Sequence, residues 1–493
     1  MKYLKLFTIV IITLFLSSSI VSAISIQQRV SNKNIIDKVH FNVTNTDENA
    51  NILYPLCSYP AIVEKGKDFT IKFKVDEFDK LFVYISTAYE PIVDEIELKI
   101  DDIKKSNSIW DIKANVPKDT PVELYNLTII FEKNKTLYSL NEPRAVDVVD
   151  EISNSFSFVH VTDFHVGDPR GAKENLKETI GWKAAKKAVE EINLLHPDFV
   201  IISGDLVFGY LNSYDYKECY KILQLFDVPT FLCPGNHDGQ IVFRKDGFDF
   251  WKKYFGPLNY SFNYGSYHFI AVNSYCWPSY QRTPMLFPTY NWGGYIDDEE
   301  IKWVEDDLKN NRNATLTFMF LHHNPIWETK DDSVFKFRSE YHNRKKLLSL
   351  IDKYGVDMVL SGHVHYDNVT IINGTIYITT TTTASDHGKN AYWGYRLINI
   401  KNGAIFSYNY KEPKYSIPSY HINFTFENSY TALVENDLIK NISVLIKFFV
   451  PSGSYKAENG RILMERKKGS MSEIYVLADV KRESKQKISL SNV

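Results

Sequence analysis

The sequence predicts an α/β layered domain set between two all-β segments, and three observations predict it. Between about Phe156 and Tyr410, short apolar runs alternate with amphipathic helical stretches, which is the grammar of an α/β domain. Before that, from about Pro60 to Val149, apolar residues alternate with polar ones in short runs and no long amphipathic helix interrupts them. After about Pro413 the chain turns strand-like again. At 493 residues the chain exceeds what one hydrophobic core serves, so several domains are expected.

At the amino terminus, Lys2 and Lys5 precede an apolar run from Leu6 to Leu16, and the small-residue pattern Val21-Ser22-Ala23 follows. This reads as a secretory signal peptide cleaved after Ala23, with an uncleaved anchor as the alternative. Either way the body is expected outside the cytoplasm, secreted or at the cell surface. Sequons such as Asn42, Asn126, Asn259 and Asn423 fit an exported chain. The cysteines Cys57, Cys219, Cys233 and Cys276 lack CxxC spacing and read as core residues, with a bridge from Cys233 to Cys219 or Cys276 left open.

The runs Phe69 to Val75, Leu81 to Ile85, Ile96 to Ile100 and Leu127 to Phe131, punctuated by Gly66, Pro117 and Pro121, predict a β-sandwich. From Phe158 to Thr162 the first strand of the α/β domain is expected. Leu176, Ile180, Ala184, Ala188 and Ile192 recur every four residues as one helical stripe, stopped by Pro197 before the strand Phe199 to Ser203. Helix and buried strand then alternate: Tyr214 to Phe226 before Thr230 to Cys233, Asp298 to Leu308 before Leu316 to Leu321, Arg344 to Tyr354 before Asp357 to Leu360. Asn373-Gly374 and Asn402-Gly403 read as hairpin turns, and Thr379 to Thr383 as a strand of β-branched residues. His421 to Phe426, Ile442 to Val450 and Ile474 to Val480 predict a small β-domain ending in a Lys- and Ser-rich tail. The expected division is therefore a signal peptide at 1–23, a β-sandwich at 24–152, the α/β domain at 153–412, and a small β-domain with tail at 413–493.

Fifty-seven Lys and Arg against 60 Asp and Glu give a formal charge of -3, which offers no general attraction for nucleic acid or anionic lipid. The chemistry lies elsewhere. Five motifs fall at the carboxyl ends of predicted strands: Asp163-Phe-His165, Gly204-Asp205, Gly235-Asn236-His237-Asp238, His322-His323 and Gly362-His363-Val-His365. Any one of them is an ordinary turn or cap. Together they would bring carboxylates and imidazoles to one sheet edge, and a buried group of that kind is costly without a metal.

In this order the five motifs resemble those of the calcineurin-like metallophosphoesterase superfamily, over about Phe156 to Tyr410. The resemblance implies a four-layer core, a β-sandwich flanked by helices, and two divalent metal ions (Mn, Fe, Zn or Co). It implies Asp163, His165 and His365 as ligands of one ion, Asn236, His322 and His363 as ligands of the other, and Asp205 as their bridge. His323 stays open as the alternative to His322. A bridging hydroxide would attack phosphorus, with His237 as the general acid and Asp238 orienting its imidazole. Phe208 stands where purple acid phosphatases carry a tyrosine ligand, and no arginine follows the Gly204-Asp205 motif as in protein serine/threonine phosphatases. The aromatic stretch from Tyr275 to Tyr295, with Trp277, Tyr280, Phe287, Tyr290 and Trp292, reads either as a loop at the substrate entrance or as an aromatic minicore. His387 is expected at the site rim, and Arg396 either pairs with a substrate oxyanion or forms a structural salt bridge.

The expected activity is hydrolysis of a phosphomonoester or phosphodiester, on a small-molecule or lipid-derived substrate. A nuclease of the same superfamily and a catalytically inactive surface-binding protein are the alternatives.

Overall fold

The computed structural model describes residues 47–89, 95–168, 182–209, 212–283, 291–327, 341–384, 392–412 and 414–493. The segment read as a signal peptide, Asn42, Leu176, Ile180, Phe287, Tyr290 and His387 lie outside the described residues. Among the described residues no helix is long and apolar enough to cross a membrane.

Eight strands between Asn51 and Val149 form one continuous sheet. The long strand Glu95–Ser106 pairs with Lys80–Thr87 through its first half and with Ile109–Asn115 through its second, shifting register between Ile100 and Asp102. The sheet thereby folds over on itself. Ile71, Phe73, Ile112 and Ala114 from one half meet Val83, Ile85, Leu127 and Phe131 from the other in a common core. Alternation of buried and exposed residues along Asp68–Lys74 is the cause, since side chains leave a strand on opposite faces.

The α/β domain runs β1 (Phe156–Val161), α1 (Trp182–Leu195), β2 (Phe199–Ser203), α2 (Asn212–Leu223), β3 (Thr230–Cys233), α3 (Gly247–Tyr254), β4 (Tyr260–Tyr264), β5 (Tyr267–Ala271), α4 (Asp298–Asn310), β6 (Thr317–Phe320), α5 (Arg344–Tyr354), β7 (Met358–Ser361), β8 (Asn368–Ile372), β9 (Thr375–Thr379), β10 (Gly394–Lys401) and β11 (Ala404–Ser407). Two sheets result, ordered β3-β2-β1-β10-β11 and β4-β5-β6-β7-β9-β8. Strands β1, β2 and β3 are parallel, as are β5, β6, β7 and β9.

These strands are apolar on both faces, and each face has its own partner. Phe158, Phe199, Ile201, Phe269, Phe318 and Ile398 fill the space between the sheets, where the Phe158 and Phe199 rings stack at 5.2 Å. Val159, Val161, Val200 and Ile202 point the other way, onto Ala184, Ala188 and Ile192 of α1 and Cys219 and Ile222 of α2. On the second sheet, Ile270, Met319 and Val359 meet Ile301 and Val304 of α4 and Leu347 and Ile351 of α5. The domain is therefore four layers, helix, sheet, sheet, helix. Asn373-Gly374 and Asn402-Gly403 join β8 to β9 and β10 to β11, all four residues at positive φ as a primed hairpin turn requires.

The carboxyl-terminal segment forms two further antiparallel sheets. Its last stretch corrects the sequence expectation of a tail. Ser484–Asn492 is a strand paired with Thr431–Asn436, because Ile488 and Leu490 alternate inward while Lys485 and Lys487 point outward to Glu435 and Glu427. All four cysteines are free.

Buried charge joins the three parts. The Arg144 guanidinium, from the amino-terminal sheet, donates to the carbonyls of Phe226 and Val228 in the α/β domain. Glu123 lies 3.0 Å from Arg466 and 3.7 Å from Lys447, and Lys447 also faces Asp227 at 3.9 Å. Glu191 on α1 accepts from the Tyr395 hydroxyl and from the backbone of Tyr420.

Candidate metal centre

All five motifs leave the carboxyl ends of neighbouring strands: Asp163 and His165 after β1, Asp205 after β2, Asn236 to Asp238 after β3, His322 after β6, and His363 and His365 after β7. Because β1, β2 and β3 are parallel in one sheet and β6 and β7 in the other, these loops meet at one end of the sandwich. The backbone there is unusual. Asp163, His165, Asp205, His363 and His365 all have positive φ, between 44° and 75°. Such a conformation disfavours side-chain-bearing residues and concentrates at functional sites.

The glycines of the motifs permit the approach. A Cβ at Gly204 would stand 2.7 Å from His322 Nδ1, and one at Gly362 would stand 2.6 Å from Asp163 Oδ2. At Gly235 it would strike Asp205. These glycines are thus steric requirements of the cluster itself.

His365 Nε2 lies 3.2 Å from both Asp163 Oδ1 and His165 Nε2. His165 Nε2 is 3.6 Å, and His322 Nε2 3.1 Å, from the same Asp205 oxygen, Oδ2. His363 Nδ1 lies 3.0 Å from Asn236 Oδ1. Donors bound at about 2.1 Å to one ion stand roughly 3.0–3.4 Å apart, and all of these spacings except that of His165 from Asp205 fall in that range. Asp163 Oδ1 and His322 Nε2 are buried without a hydrogen-bond partner, which a cation would supply. Asp205 faces both imidazole groups through one oxygen only, since its Oδ1 accepts the His237 backbone N–H at 2.8 Å.

Electrostatics point the same way. Burial alone would raise the Asp163 and Asp205 carboxyls, yet the surrounding imidazoles hold both well below the usual range. Burial would lower His322, but Asp205 and Asp163 draw it up to about 9. The pocket's carboxylates therefore attract positive charge. The two histidines of the His322-His323 pair differ plainly. His322 Nδ1 lies on the Ser203 carbonyl and leaves Nε2 facing Asp205, whereas His323 bonds Ser274 Oγ through Nδ1 and the Trp292 carbonyl through Nε2, each at 2.8 Å.

His237 and Asp238 correct one expectation. The His237 imidazole is oriented by the Phe208 carbonyl, 2.8 Å from Nδ1, and the Phe208 ring stacks on it at 5.2 Å. Asp238 does not touch that imidazole. Its Oδ1 accepts the N–H groups of Leu206 and Val207, and its Oδ2 that of Gly235. It ties the Asp205 loop to the Asn236 loop, because three convergent backbone donors satisfy a carboxylate better than one imidazole. Burial lowers His237 to about 4, while burial and the neighbouring Asp205 raise Asp238 to about 8.

Three threonines absent from the sequence reading as site residues hold the loops from behind. Beyond the end of β9 at Thr379, the hydroxyls of Thr381, Thr382 and Thr383 donate to the carbonyls of His365, Asp163 and Thr162. The five-threonine run was the available signal, but its β-branched character pointed to a strand. Arg396 is fully buried and pairs with Asp367 at 2.8 Å, which is the structural salt bridge among the two alternatives. Of the aromatic stretch, Tyr275 and Trp277 are buried and Tyr280 is exposed.

Residues 156–367 match the family model described as calcineurin-like phosphoesterase. A protein of Arcobacter nitrofigilis described as a probable glycerophosphodiester phosphodiesterase is 26% identical over 231 residues, 45% of this chain and 77% of that one. A probable cyclic nucleotide phosphodiesterase of Coxiella burnetii is 23% identical over 47% of this chain and 84% of its own. A human serine/threonine-protein phosphatase is 24% identical over 37% of this chain and 59% of its own. Among solved structures, a purple acid phosphatase from yellow lupin seeds covers 76% of this chain and 70% of its own, at 13% identity and a TM-score of 0.41. That overlap is too loose to carry any inference about chemistry. The match to the calcineurin-like phosphoesterase family, over residues 156–367, spans every one of the five motifs.

Proposed function

We propose that the chain is a two-metal phosphoesterase acting outside the cytoplasm on a small or lipid-derived phosphate ester. The carrying observation is the single Asp205 oxygen facing His165 on one side and His322 on the other, with unpartnered donor atoms of Asp163 and His322 beside it. Asp163, His165 and His365 would hold one divalent ion, Asn236, His322 and His363 the second, and Asp205 would serve both. His322 rather than His323 takes this role, because both His323 nitrogens are already committed to the protein. The mixed N/O donor set suits Mn, Fe, Zn or Co better than Ca. Such ions supply charge neutralisation for phosphate oxygens and activation of water.

The chain's own residues do the rest. His237, held through Nδ1 by Phe208, presents its other nitrogen beside His165, their rings 4.6 Å apart; that nitrogen takes up a proton from solvent when the substrate's negative charge favours the imidazolium, and passes it to the leaving alkoxide. Asp238 fixes the loops that carry Asp205 and Asn236. Relatives described as phosphodiesterases and relatives described as phosphatases stand side by side, so phosphomonoesters and phosphodiesters both fall within this reading.

The test is hydrolysis of p-nitrophenyl phosphate and bis-p-nitrophenyl phosphate by the full-length chain with and without Mn, beside Asp205→Asn. Metal-dependent turnover, at least about a hundredfold lower in Asp205→Asn, is expected. Equal, metal-independent traces in both proteins would overturn the reading.

A further inference from the structure

Among the described residues, one group of metal-competent side chains lies apart from the five motifs. Cys276, Asp297 and Glu300 place a sulfur and two carboxylate oxygens within 4.8 Å of one another. They come from the two ends of one chain segment: Cys276 follows β5, Asp297 caps α4, and Glu300 lies in that helix's first turn. The ends are stitched together, with the Cys276 N–H donating to the Tyr295 carbonyl and the Tyr295 N–H to the Ser274 carbonyl.

Glu300 is the anomaly. A carboxyl in the first turn of a surface helix ordinarily faces solvent, yet Glu300 is only 4% exposed. One of its oxygens, Oε2, accepts from the Cys276 thiol, while Oε1 is buried with no hydrogen-bond partner. Burial raises the carboxyl to about 8 and the thiol well above its usual value. A buried, half-satisfied carboxyl beside a thiol is an arrangement that a cation would complete.

We propose that Cys276, Asp297 and Glu300 form a separate binding site for one zinc-class divalent cation, which joins the two ends of the segment bearing Ser274 and Trp292. A sulfur ligand with two carboxylates selects a borderline or soft ion and disfavours Mg and Ca. Binding is a proton exchange: the ion enters, and the Cys276 S–H proton and the Glu300 carboxyl proton leave to solvent. Cys276 is half-buried, which gives the ion a route in. The cation would tighten the same backbone that fixes His323, since Ser274 Oγ and the Trp292 carbonyl hold that ring, whose centroid is 4.4 Å from that of His363.

The site shares no residue with the Asp205 centre, so the two can be tested apart. Cadmium titrated into the full-length chain reports thiolate coordination through its ultraviolet charge-transfer band, and the Asp205 centre has no sulfur to produce one. A saturable band equivalent to one thiolate is expected in the native chain and in Asp205→Asn, removed by added zinc and missing in Cys276→Ser. Glu300→Gln, which keeps the sulfur, should raise the half-saturation concentration more than about tenfold. No band in the native chain, an equal band in Cys276→Ser, or an unchanged half-saturation in Glu300→Gln would overturn the proposal.

Discussion

Replacing Asp238 by Asn separates two readings of that carboxylate, as a loop tie or as the orienter of His237. The Asn side chain keeps one oxygen for the N–H groups of Leu206 and Val207 but turns an NH2 toward Gly235 N, where Oδ2 now accepts at 2.8 Å. One hydrogen bond is lost and one buried donor is stranded, a cost of about 2–3 kcal/mol. Against that, the burial and the Asp205 repulsion that raise Asp238 to about 8 are relieved in the neutral amide. The net destabilisation is about 1–2 kcal/mol, read as a lower thermal midpoint of the metal-free chain. Activity should fall through loosening of the Asp205 and Asn236 loops, by the same factor for every substrate. The assay compares p-nitrophenyl phosphate, whose leaving group departs without a proton, with an alkyl phosphate, whose leaving group needs one. His237→Ala should lose the alkyl substrate selectively, by roughly a hundredfold or more. A selective loss of the alkyl substrate in Asp238→Asn would refute the reasoning, because it would mean that Asp238 governs the imidazole after all.

Gly362→Ala should abolish metal-dependent activity, since the added methyl would collide with Thr162 Oγ1 and stand 2.6 Å from Asp163 Oδ2; retained metal content by elemental analysis would count against that steric account. Thr382→Val removes the hydroxyl behind the Asp163 carbonyl and should weaken metal affinity about 10–100-fold with the fold intact, measured by competition with a chelating dye. Glu191 carries a pH dependence. Burial raises it from 4.5 to about 7 in the folded chain, so the unfolded chain releases this proton first and stability falls as pH rises from about 4.5 to 7. That window is worth about 3 kcal/mol. Glu191→Gln should therefore raise the thermal midpoint at pH 8 and leave it nearly unchanged at pH 4; the reverse order would refute the sign.

The site was legible in the sequence to the extent that its chemistry depends on residue type at strand ends. Asp163, His165, Asp205, Asn236, His363 and His365 are named by motif, and parallel strands bring their loops together automatically. The strands β2 and β3 and the helix α5 were readable to the residue, β2 because Pro197 marks its start and all three because apolar strand and amphipathic helix alternate. What the sequence concealed is tertiary. Asp238 sits beside His237 in the chain yet bonds three amides that the fold brings to it, and His323 differs from His322 in having both ring nitrogens engaged, by Ser274 and by Trp292. The hydroxyls of Thr381 to Thr383 act on carbonyls some two hundred residues away for two of the three, a relation no local pattern encodes. The carboxyl-terminal strand was missed because Lys and Ser dominate its composition, although Ile488 and Leu490 keep the alternation.

Strand β10 has a practical consequence for anyone trimming this protein. The family match stops at residue 367, but β10 begins at Gly394 and lies between β1 and β11 in the middle of the first sheet. A fragment cut at the end of the match would keep every motif residue and still lose the strand that covers the open side of β1, from Phe156 to His160. Its bare backbone would offer a ready template for pairing with another molecule. Such a fragment should aggregate rather than work, and expression trials are better run with the carboxyl-terminal sheets retained, since Ile417 pairs with Tyr395 of β10 and those sheets share the core of α1.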